Sequence, residues 1–403
     1  MRGFADVQAS NMTGRIDGSG STSPADRGSV SDYSQLPTIL EIAYDVARRT
    51  SDDSKRTEIY SMMRKYLDWW LSPVKRDAKT GLVSAIFEET IGEFDQFLND
   101  NIELKPQTLA PVDTNVVIAI GARRVSEIAR WLGRTDESQK YWAVYQGMCN
   151  SINKYFWNEE DGVYYNYDLV KGVQRRRLIV SIFDPLRLGI ASAAQRDRLL
   201  SRLLEPSQFN WGKVPLTSMA MTDPNFVEAP GNYDGRAWLG NVWTLRNMVV
   251  IKGLEDSARP DLAAELNWAT IRAFHNNYYE NLLPSSGQGE GAKRYCFTAS
   301  QYIEAIIEHL FGVDFDAIEK RVRIAPHVPH ELYGQEIALD DLILPTGGDT
   351  RLSVQIRQSS PTAATIRVTI SGSLPKGDLL VVLPGTAKEN RVPMQRSFTA
   401  KFE

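Results

Sequence analysis

The sequence is poor in the residues that build metal and cofactor sites. Its 403 residues include two cysteines, Cys149 and Cys296, and four histidines. The chain contains neither an HExxH nor a CxxC pattern, which are common signatures of zinc binding. Two cysteines are also too few for a disulfide framework. We therefore predict no metal and no cofactor, and we interpret both cysteines as buried packing residues.

Motifs for nucleotide and serine chemistry are also missing. The stretch GQGEG at 287–291 superficially matches a glycine-rich phosphate loop, but it follows no predicted strand and has no βαβ context. No nucleophile-elbow motif of a serine hydrolase occurs in the chain. These absences disfavour nucleotide chemistry and serine hydrolysis.

Long apolar runs and a strong excess of one charge are absent. No stretch approaches the roughly 18 to 20 apolar residues of a membrane span. The formal net charge is -4, with 42% hydrophobic and 24% charged residues, so we expect neither a membrane nor a nucleic-acid partner. The first residues lack the features of a secretory signal, which favours the cytoplasm by default. Secretion stays open if the natural N-terminus is truncated, and the oligomeric state stays undetermined.

Helical periodicity dominates residues 36–311, where apolar residues recur three and four positions apart. Gly133 stands where a left-handed helix cap is expected, so the helices on either side of it should form a hairpin. After Gly312 the pattern changes to short β-branched runs. We predict a helical domain over 1–312 and a small β-sandwich domain over 313–403. Long polar loops, which are often functional, are expected at 73–111, 157–183, 205–235 and 276–297.

Two of these loops combine carboxylates with aromatic residues. One contains IFEETIGEFDQF at 86–97, and the other contains Glu280 and Glu290 around a Pro, Ser and Gly turn. Glycoside hydrolysis needs one carboxyl group as the acid and a second as base or nucleophile, and tryptophan faces suit sugar rings. Solvated loop acids and core tryptophans are the alternative interpretation.

The second loop also resembles a known motif. ENLLPSSGQGEGAKRYCFTAS, residues 280–300, is similar to the closing motif ENYxPxTGxxxGAxxFxWS of the inverting α-glycosidases of glycoside hydrolase family 63 and the related trehalases of family 37. Further segments between about 30 and 311 resemble these families in the same order, among them PVDTNVVIAIGARRVSEIARWLG and YFWNEEDGVYYNYDL. In these families the first Glu of the motif is the general base, which implies that role for Glu280.

The resemblance also implies a general acid. The family segment resembles ESGxD, and ETIGE provides Glu89 and, four residues later, Glu93. Glu93 is therefore the expected acid, with Asp95 as the alternative. Here Glu replaces the usual Asp, and Ile91 and Gly92 alter the middle of the motif.

The implied fold is mainly α, an (α/α)6 toroid with or without its first helix, followed by the β-sandwich. On this interpretation residues 1–35 line the barrel, whereas their Gly, Ser and Asp content alone is equally typical of a disordered tail. The implied partner is a carbohydrate substrate, cleaved with inversion at an α-linkage. The expected substrate contacts, each with an alternative as a cap, packing residue or loop charge, are Glu89, Asp95, Asp113, Trp157, Trp211, Tyr233, Arg236, Trp238, Glu290 and Lys293.

Two other functions stay open at this stage. One is a rhamnosidase-like hydrolase or a polysaccharide lyase on the same six-hairpin architecture. The other is a carbohydrate-binding protein without catalysis, which the altered acid motif and the missing first helix would explain.

Overall fold

The computed structural model describes Ser34 and residues 36–86, 89–90, 107–231 and 236–403. The chain forms two compact units. The first comprises Met1–Ala47, Asp53–Trp211 and Leu216–Val242, and the second comprises Arg48–Asp52, Gly212–Pro215 and Trp243–Glu403. The second unit thus combines the last helices with all the strands that follow them. The predicted domain boundary at 312 stays a prediction.

Nine α-helices lie within the described residues, and all of them fall where the apolar periodicity predicts helical structure except the four-residue helix Pro206–Phe209, which lies in the predicted loop 205–235. They are α1 Ile39–Arg49, α2 Asp53–Trp70, α3 Val112–Trp131, α4 Thr135–Tyr155, α5 Ala193–Leu203, α6 Pro206–Phe209, α7 Thr244–Asp256, α8 Pro260–Phe274 and α9 Cys296–Glu304. Shorter helical turns cover Val180–Gly189, Arg236–Leu239, Ala305–Leu310 and His330–Leu332. None of the helices in the described ranges is both long and apolar enough to cross a membrane.

The α3–α4 pair shows how the sequence sets the packing. Gly133 has a φ of +71°, a conformation that glycine adopts without steric cost. The N–H of Arg134 donates to the carbonyl of Ala129 over 2.8 Å, and the N–H of Gly133 donates to that of Arg130 over 3.1 Å. These bonds close the end of α3 and reverse the chain, and α4 packs along α3. The predicted helical hairpin is confirmed.

The stretch before α7 lies within the range of predicted helical periodicity, but it does not form a regular helix. Only the 3-10 turn Arg236–Leu239 forms there, and α7 begins at Thr244. The buried Asn241 side chain accepts from the N–H of Ala229 over 3.0 Å and donates to the carbonyl of Ala229 over 2.8 Å. The Asn241 side chain thus pairs with backbone polar groups of a neighbouring loop, and such bonds compete with helix formation. This contact between separate segments overrides the local helical periodicity.

Strands in the first unit are short. They are β1 Leu109–Ala110, β2 Trp157–Asn158, β3 Val163–Tyr164, β4 Asn166–Asp168 and β5 Val173–Arg175. β1, β4 and β5 form one small sheet, and β2 pairs with β3.

The second unit contains the longer strands. They are β6 Tyr279–Leu282, β7 Gly289–Lys293, β8 Val313–Asp316, β9 Arg321–Ile324, β10 Glu336–Ile343, β11 Arg351–Ser360, β12 Ala363–Ser371, β13 Asp378–Val382, β14 Glu389–Pro393 and β15 Ser397–Phe402. Beyond the β6–β7 hairpin, the strands form two four-stranded sheets, in the orders β10-β11-β12-β15 and β14-β13-β9-β8. In β11, Leu352, Val354 and Ile356 are buried between more exposed neighbours, as expected for a strand with one face in a core. The predicted change from helices to strands is confirmed.

The cysteine interpretation is partly wrong. Cys149 on α4 is half-buried, but Cys296 is exposed. Cys296 is the first residue of α9, where the chain enters the helix at the surface, so its position in an apolar sequence context did not imply burial.

Candidate active site

The motif that contains Glu280 forms an antiparallel β-hairpin, although its Pro, Ser and Gly content predicts a loop. β6 and β7 pair with Tyr279 opposite Lys293, Asn281 opposite Glu290 and Leu282 opposite Gly289. In the turn, Leu283 N–H donates to the carbonyl of Gln288 over 2.9 Å, and Gly287 N–H donates to that of Leu283 over 2.8 Å. Gly287 has a φ of +72°, which explains the glycine at this turn position.

A second glycine lets the two strands approach closely. A Cβ atom on Gly289 would lie 2.3 Å from a ring atom of Tyr279 and 2.5 Å from Oδ1 of Asn277, well inside van der Waals contact. The Tyr279 ring is also covered by Lys293, whose Nζ lies 5.8 Å from the ring centroid. The hairpin is therefore shaped around the Tyr279 ring.

Glu280 lies at the irregular step of this hairpin, because the strand register shifts between Tyr279 and Asn281. Its side chain is half-buried, and Oε2 accepts a hydrogen bond of 3.0 Å from the N–H of Ala292. A register shift re-aims a side chain relative to a regular strand. Glu290 is also half-buried, and its Oε1 accepts from Nε2 of Gln288 over 3.1 Å.

Buried contacts hold the strand that carries Glu280. Oγ1 of Thr298 on α9 donates to the carbonyl of Tyr279 over 2.8 Å, and it lies 3.3 Å from Oγ1 of Thr244 on α7. The Tyr295 N–H donates to the carbonyl of Tyr278 over 2.8 Å. The Glu280 backbone is thus fixed from two helices, as a precisely oriented functional group requires.

Glu89 in the first unit has a different environment. Its side chain is fully buried, and its Oε2 lies 2.5 Å from Nζ of Lys75. The backbone N–H of Ile86 donates to Oε2 over 3.0 Å, and that of Ser34 donates to Oε1 over 2.8 Å. Burial raises the pKa of Glu89, and the Lys75 ammonium and these N–H donors act against that rise. Both carboxyl oxygens of Glu89 therefore accept from donors of the protein itself. That Glu89 contacts the substrate remains a prediction.

The Lys75 environment extends this buried network. The Lys75 ammonium lies 5.3 Å and 5.4 Å from the ring centroids of Trp69 and Trp70. At these distances the π faces of the rings attract the cation. Ser34 Oγ lies 2.8 Å from the hydroxyl of Tyr66, and burial raises the pKa of Tyr66. Sequence reasoning missed Ser34, Tyr66 and Lys75, because pairing over such sequence separations leaves no local pattern.

Asp113 neighbours this network at the first turn of α3. The side chain of Asp113 is fully buried, and its Oδ1 accepts from the backbone N–H of Thr114 over 2.5 Å. Oγ1 of Thr114 lies 3.1 Å from Oδ1 of Asp113 and 3.2 Å from the carbonyl oxygen of Glu89. The structure therefore brings Glu89 and Asp113 together through Thr114, at a helix N-terminus that favours negative charge.

Trp157 on β2 is half-buried and packs against Tyr164, with ring centroids 5.0 Å apart. Its Nε1 donates to Oε2 of Glu159 over 2.6 Å, and the Arg198 guanidinium lies 5.5 Å from its ring. Trp157, Glu159 and Arg198 border an open groove of about 540 Å³ that Ser192 and Gln195 also line. Trp157 has packing partners and an accessible face.

The remaining predicted residues lie partly within and partly outside the described ranges. Trp211 and Trp238 are half-buried, and Arg236 and Lys293 are exposed. Glu93, Asp95 and Tyr233 lie outside the described residues, as do residues 1–33. Within the described part of the chain, the structure groups Glu280, Glu290 and Lys293 on one hairpin and Glu89 with Asp113 elsewhere.

Comparison with known proteins agrees with the hairpin motif. Residues 15–298, more than half of the chain, match the model of the mannosylglycerate hydrolase MGH1-like glycoside hydrolase domain. The chain is 27% identical over 197 residues to a mannosylglycerate hydrolase of Rubrobacter radiotolerans, which covers 48% of this chain and 43% of the relative. It is 23% identical over 201 residues to a periplasmic trehalase of Salmonella typhimurium, which covers 48% of this chain and 33% of the relative.

The fold agrees as well. The crystal structure of the family 63 mannosylglycerate hydrolase from Thermus thermophilus, in complex with glucose, superposes with a TM-score of 0.55 at 19% identity over 67% of this chain and 75% of that chain. The chain spans less than half the length of the two curated relatives above. The resemblance to families 63 and 37 is confirmed, and this chain belongs to the MGH1-like glycoside hydrolase family.

Proposed function

We propose that the protein hydrolyses an α-linked glycoside, with a mannosylglycerate-like or trehalose-like compound as substrate. The family match over residues 15–298 supports this proposal, together with the names of the mannosylglycerate hydrolase and trehalase relatives. Both named substrates contain a hexose linked through its anomeric carbon, so the shared chemistry is attack by water at that carbon.

The observation that carries the mechanism is the setting of Glu280. One oxygen of its carboxylate accepts from the Ala292 N–H, and the side chain is half-buried on an anchored strand. A general base needs a fixed orientation and an accessible oxygen that takes a proton from water. Glu280 acts as this base, and Glu290 and Lys293 on the partner strand contact the substrate.

The second carboxyl group of the reaction is Glu93, with Asp95 as the alternative. It donates a proton to the glycosidic oxygen while the Glu280-activated water attacks from the opposite face, so the anomeric configuration inverts. Single displacement requires the two carboxyl groups to stand roughly 6.5 to 9.5 Å apart, because the water lies between base and sugar.

We further infer that the helices belong to an (α/α)6 toroid and that the last two four-stranded sheets form a sandwich. The likeness to the Thermus thermophilus structure supports the first inference. The alternating burial along β11 and β12 supports the second, because each strand has one buried face.

A substrate panel tests this function. The purified chain is incubated with mannosylglycerate, trehalose and nitrophenyl α-glucosides, α-mannosides and α-rhamnosides, and released sugar is measured beside the Glu280→Gln variant. We expect turnover of mannosylglycerate, trehalose, an α-glucoside or an α-mannoside by the native chain only. Sugar binding without turnover would identify a carbohydrate-binding protein. An unsaturated product that absorbs in the ultraviolet would identify a lyase. Turnover confined to rhamnosides would identify a rhamnosidase. Each of these results contradicts the proposal.

A further inference from the structure

A cluster of one carboxylate and two imidazoles lies in the second unit, away from the β6–β7 hairpin in sequence. Glu255 is near the end of α7, His309 is in the turn Ala305–Leu310 that continues α9, and His327 follows β9. One ligand atom from each of the three residues lies within 4.8 Å of the other two. No other group of this composition occurs among the described residues.

The nitrogens converge on one carboxylate oxygen. Nδ1 of His309 lies 2.6 Å from Oε1 of Glu255, and Nδ1 of His327 lies 3.1 Å from the same oxygen. The His327 contact lacks the angle of a hydrogen bond, so its buried Nδ1 has no hydrogen-bond partner among the described residues. An unpartnered buried imidazole nitrogen is costly unless a cation occupies its lone pair.

The backbone around His309 is distorted in a way that places this side chain. Residues Ala305–Leu310 form a π-helical turn, in which Phe311 N–H donates to the carbonyl of Ile306 over 3.0 Å. Such turns are rare and occur frequently at functional sites. The N–H of His327 donates to the carbonyl of His309 over 3.1 Å. This bond fixes the backbones of the two histidines relative to each other.

Burial and charge also favour a bound cation. The exposed fractions of the side chains are 4% for His309, 12% for His327 and 24% for Glu255, so solvent reaches the cluster from the Glu255 and His327 side only. Glu255 offers a carboxylate oxygen, which is a ligand that Zn²⁺ takes beside imidazole nitrogens.

From this geometry we propose that Glu255, His309 and His327 bind one divalent transition-metal ion of the Zn²⁺ class. Two imidazoles and one carboxylate form a ligand set that Zn²⁺ prefers, with bonds of about 2.0 to 2.2 Å. Tetrahedral ligands at such bond lengths stand roughly 3.4 Å apart, a spacing between the observed 2.6 Å contact and the 4.8 Å limit. Each histidine binds the ion through the Nδ1 lone pair of its neutral Nε2–H tautomer, and water fills the fourth position.

The site has a structural consequence for the second unit. Its ligands come from α7, from the turn after α9 and from the segment after β9, so one ion cross-links three separate chain segments. An ion that binds only the folded state stabilises that state by mass action. This role is independent of the glycosidase proposal, because none of the three residues belongs to the hairpin of Glu280.

Metal titration of the full chain tests the site. After treatment with a chelator, the protein is titrated with ZnCl₂ by calorimetry and with CoCl₂ by visible spectroscopy. We expect one ion per chain, visible bands of tetrahedral Co²⁺ and a rise in Tm with Zn²⁺. Glu255→Gln and His327→Gln should each weaken binding about tenfold or more, since loss of supporting groups alone has effects of about that size.

The chain provides a matched control. His330 also pairs with a glutamate, since its Nδ1 contacts Oε1 of Glu265 over 2.5 Å, but it is exposed and belongs to no triad. His330→Gln should bind Zn²⁺ like the native chain. The proposal is overturned if the native chain binds no ion, if Glu255→Gln and His327→Gln bind as tightly as the native chain, or if His330→Gln abolishes binding. Because His327 is partly exposed and Glu255→Gln is isosteric, both variants retain the packing of the fold.

Discussion

Glu89 in the first unit and Glu280 in the second are both acids of the predicted motifs, but their surroundings differ. Glu89 is fully buried, and a lysine and two backbone N–H groups engage its oxygens. Glu280 is half-buried and accepts one backbone bond from Ala292. Removing one partner of a buried ion pair is costly because it leaves an uncompensated charge, whereas an oriented and accessible carboxylate is suited to proton transfer. The comparison favours a structural role for Glu89 and supports the proposed role of Glu280 as the general base.

The largest effect is expected for Glu280→Gln. The amide oxygen still accepts from Ala292, but it cannot take a proton from water, so kcat should fall by about 10²- to 10⁴-fold. The free energy of unfolding should change by less than about 0.5 kcal/mol. Steady-state kinetics and urea denaturation measure both quantities. Glu290→Gln, on the facing strand, is the matched control and should retain a kcat within about tenfold. Equal losses of kcat in Glu280→Gln and Glu290→Gln would contradict the proposed role of Glu280 as the general base.

Lys75→Met should lower stability strongly. It leaves the Glu89 carboxylate buried without its counter-charge, which typically costs about 3 to 5 kcal/mol. Urea denaturation measures this loss. The double variant with Glu89→Leu should recover most of it, because an apolar pair replaces the ion pair. A loss below about 1 kcal/mol in the single variant would show that the pair does not hold the first unit together.

Gly289→Ala tests the hairpin as a support for Glu280. The new methyl group would lie 2.3 Å from the Tyr279 ring, so the strands must move apart. A displacement of about 1 Å at a catalytic group can lower kcat by roughly 10²-fold. Gly147→Ala on α4 is the control, since its Cβ would contact nothing within 4 Å, and its kcat should equal that of the native chain. An unchanged kcat in Gly289→Ala would show that the geometry of the hairpin does not affect catalysis.

The smallest effect is expected for Asp314→Asn. Like Glu89, Asp314 is an acid that pairs with a basic side chain, but it lies in the second unit. The Arg48 guanidinium donates to both oxygens of Asp314 over 2.7 Å. Burial raises the pKa of Asp314, but the bonds with Arg48 outweigh this and lower it. A lowered pKa stabilises the fold above the unfolded-state pKa of about 3.9, and the contribution disappears as the pH falls through the folded-state pKa.

The substitution should therefore cost about 1.5 to 3 kcal/mol at pH 7, the usual range for a bond to a charged group. The difference from the native chain should shrink below about pH 4. Urea denaturation across pH measures this convergence. A difference that stays constant down to about pH 2 would exclude Asp314 as its source.

The sequence predicted the helices well because their information is local. The apolar spacing of α3 and the glycine at 133 are readable without any partner. The hairpin of Glu280 was interpreted as a loop because its strands contain Gly, Glu and Lys instead of β-branched residues. Its pairing depends on the Tyr279 ring and on Thr298, which local patterns do not reveal.

The candidate site was predicted only in part for the same reason. Glu280 was found through a motif, and its register shift and its bond to Ala292 are visible only in the structure. The Lys75–Glu89 pair joins residues 14 positions apart, and Ser34 reaches Glu89 from 55 positions away. Burial of such charges depends on tertiary packing, so composition and spacing give no signal for it.

The anomeric configuration of the first-formed sugar tests the central claim most directly. The native chain is given mannosylglycerate or a nitrophenyl α-glycoside that it turns over, because each of these releases only one reducing sugar, and proton NMR follows that sugar before mutarotation. If Glu280 activates water for a single displacement, the β-anomer appears first and the α-anomer grows in later. An α-anomer at the earliest time points would contradict the account, because it requires a covalent intermediate and a nucleophile in place of a base.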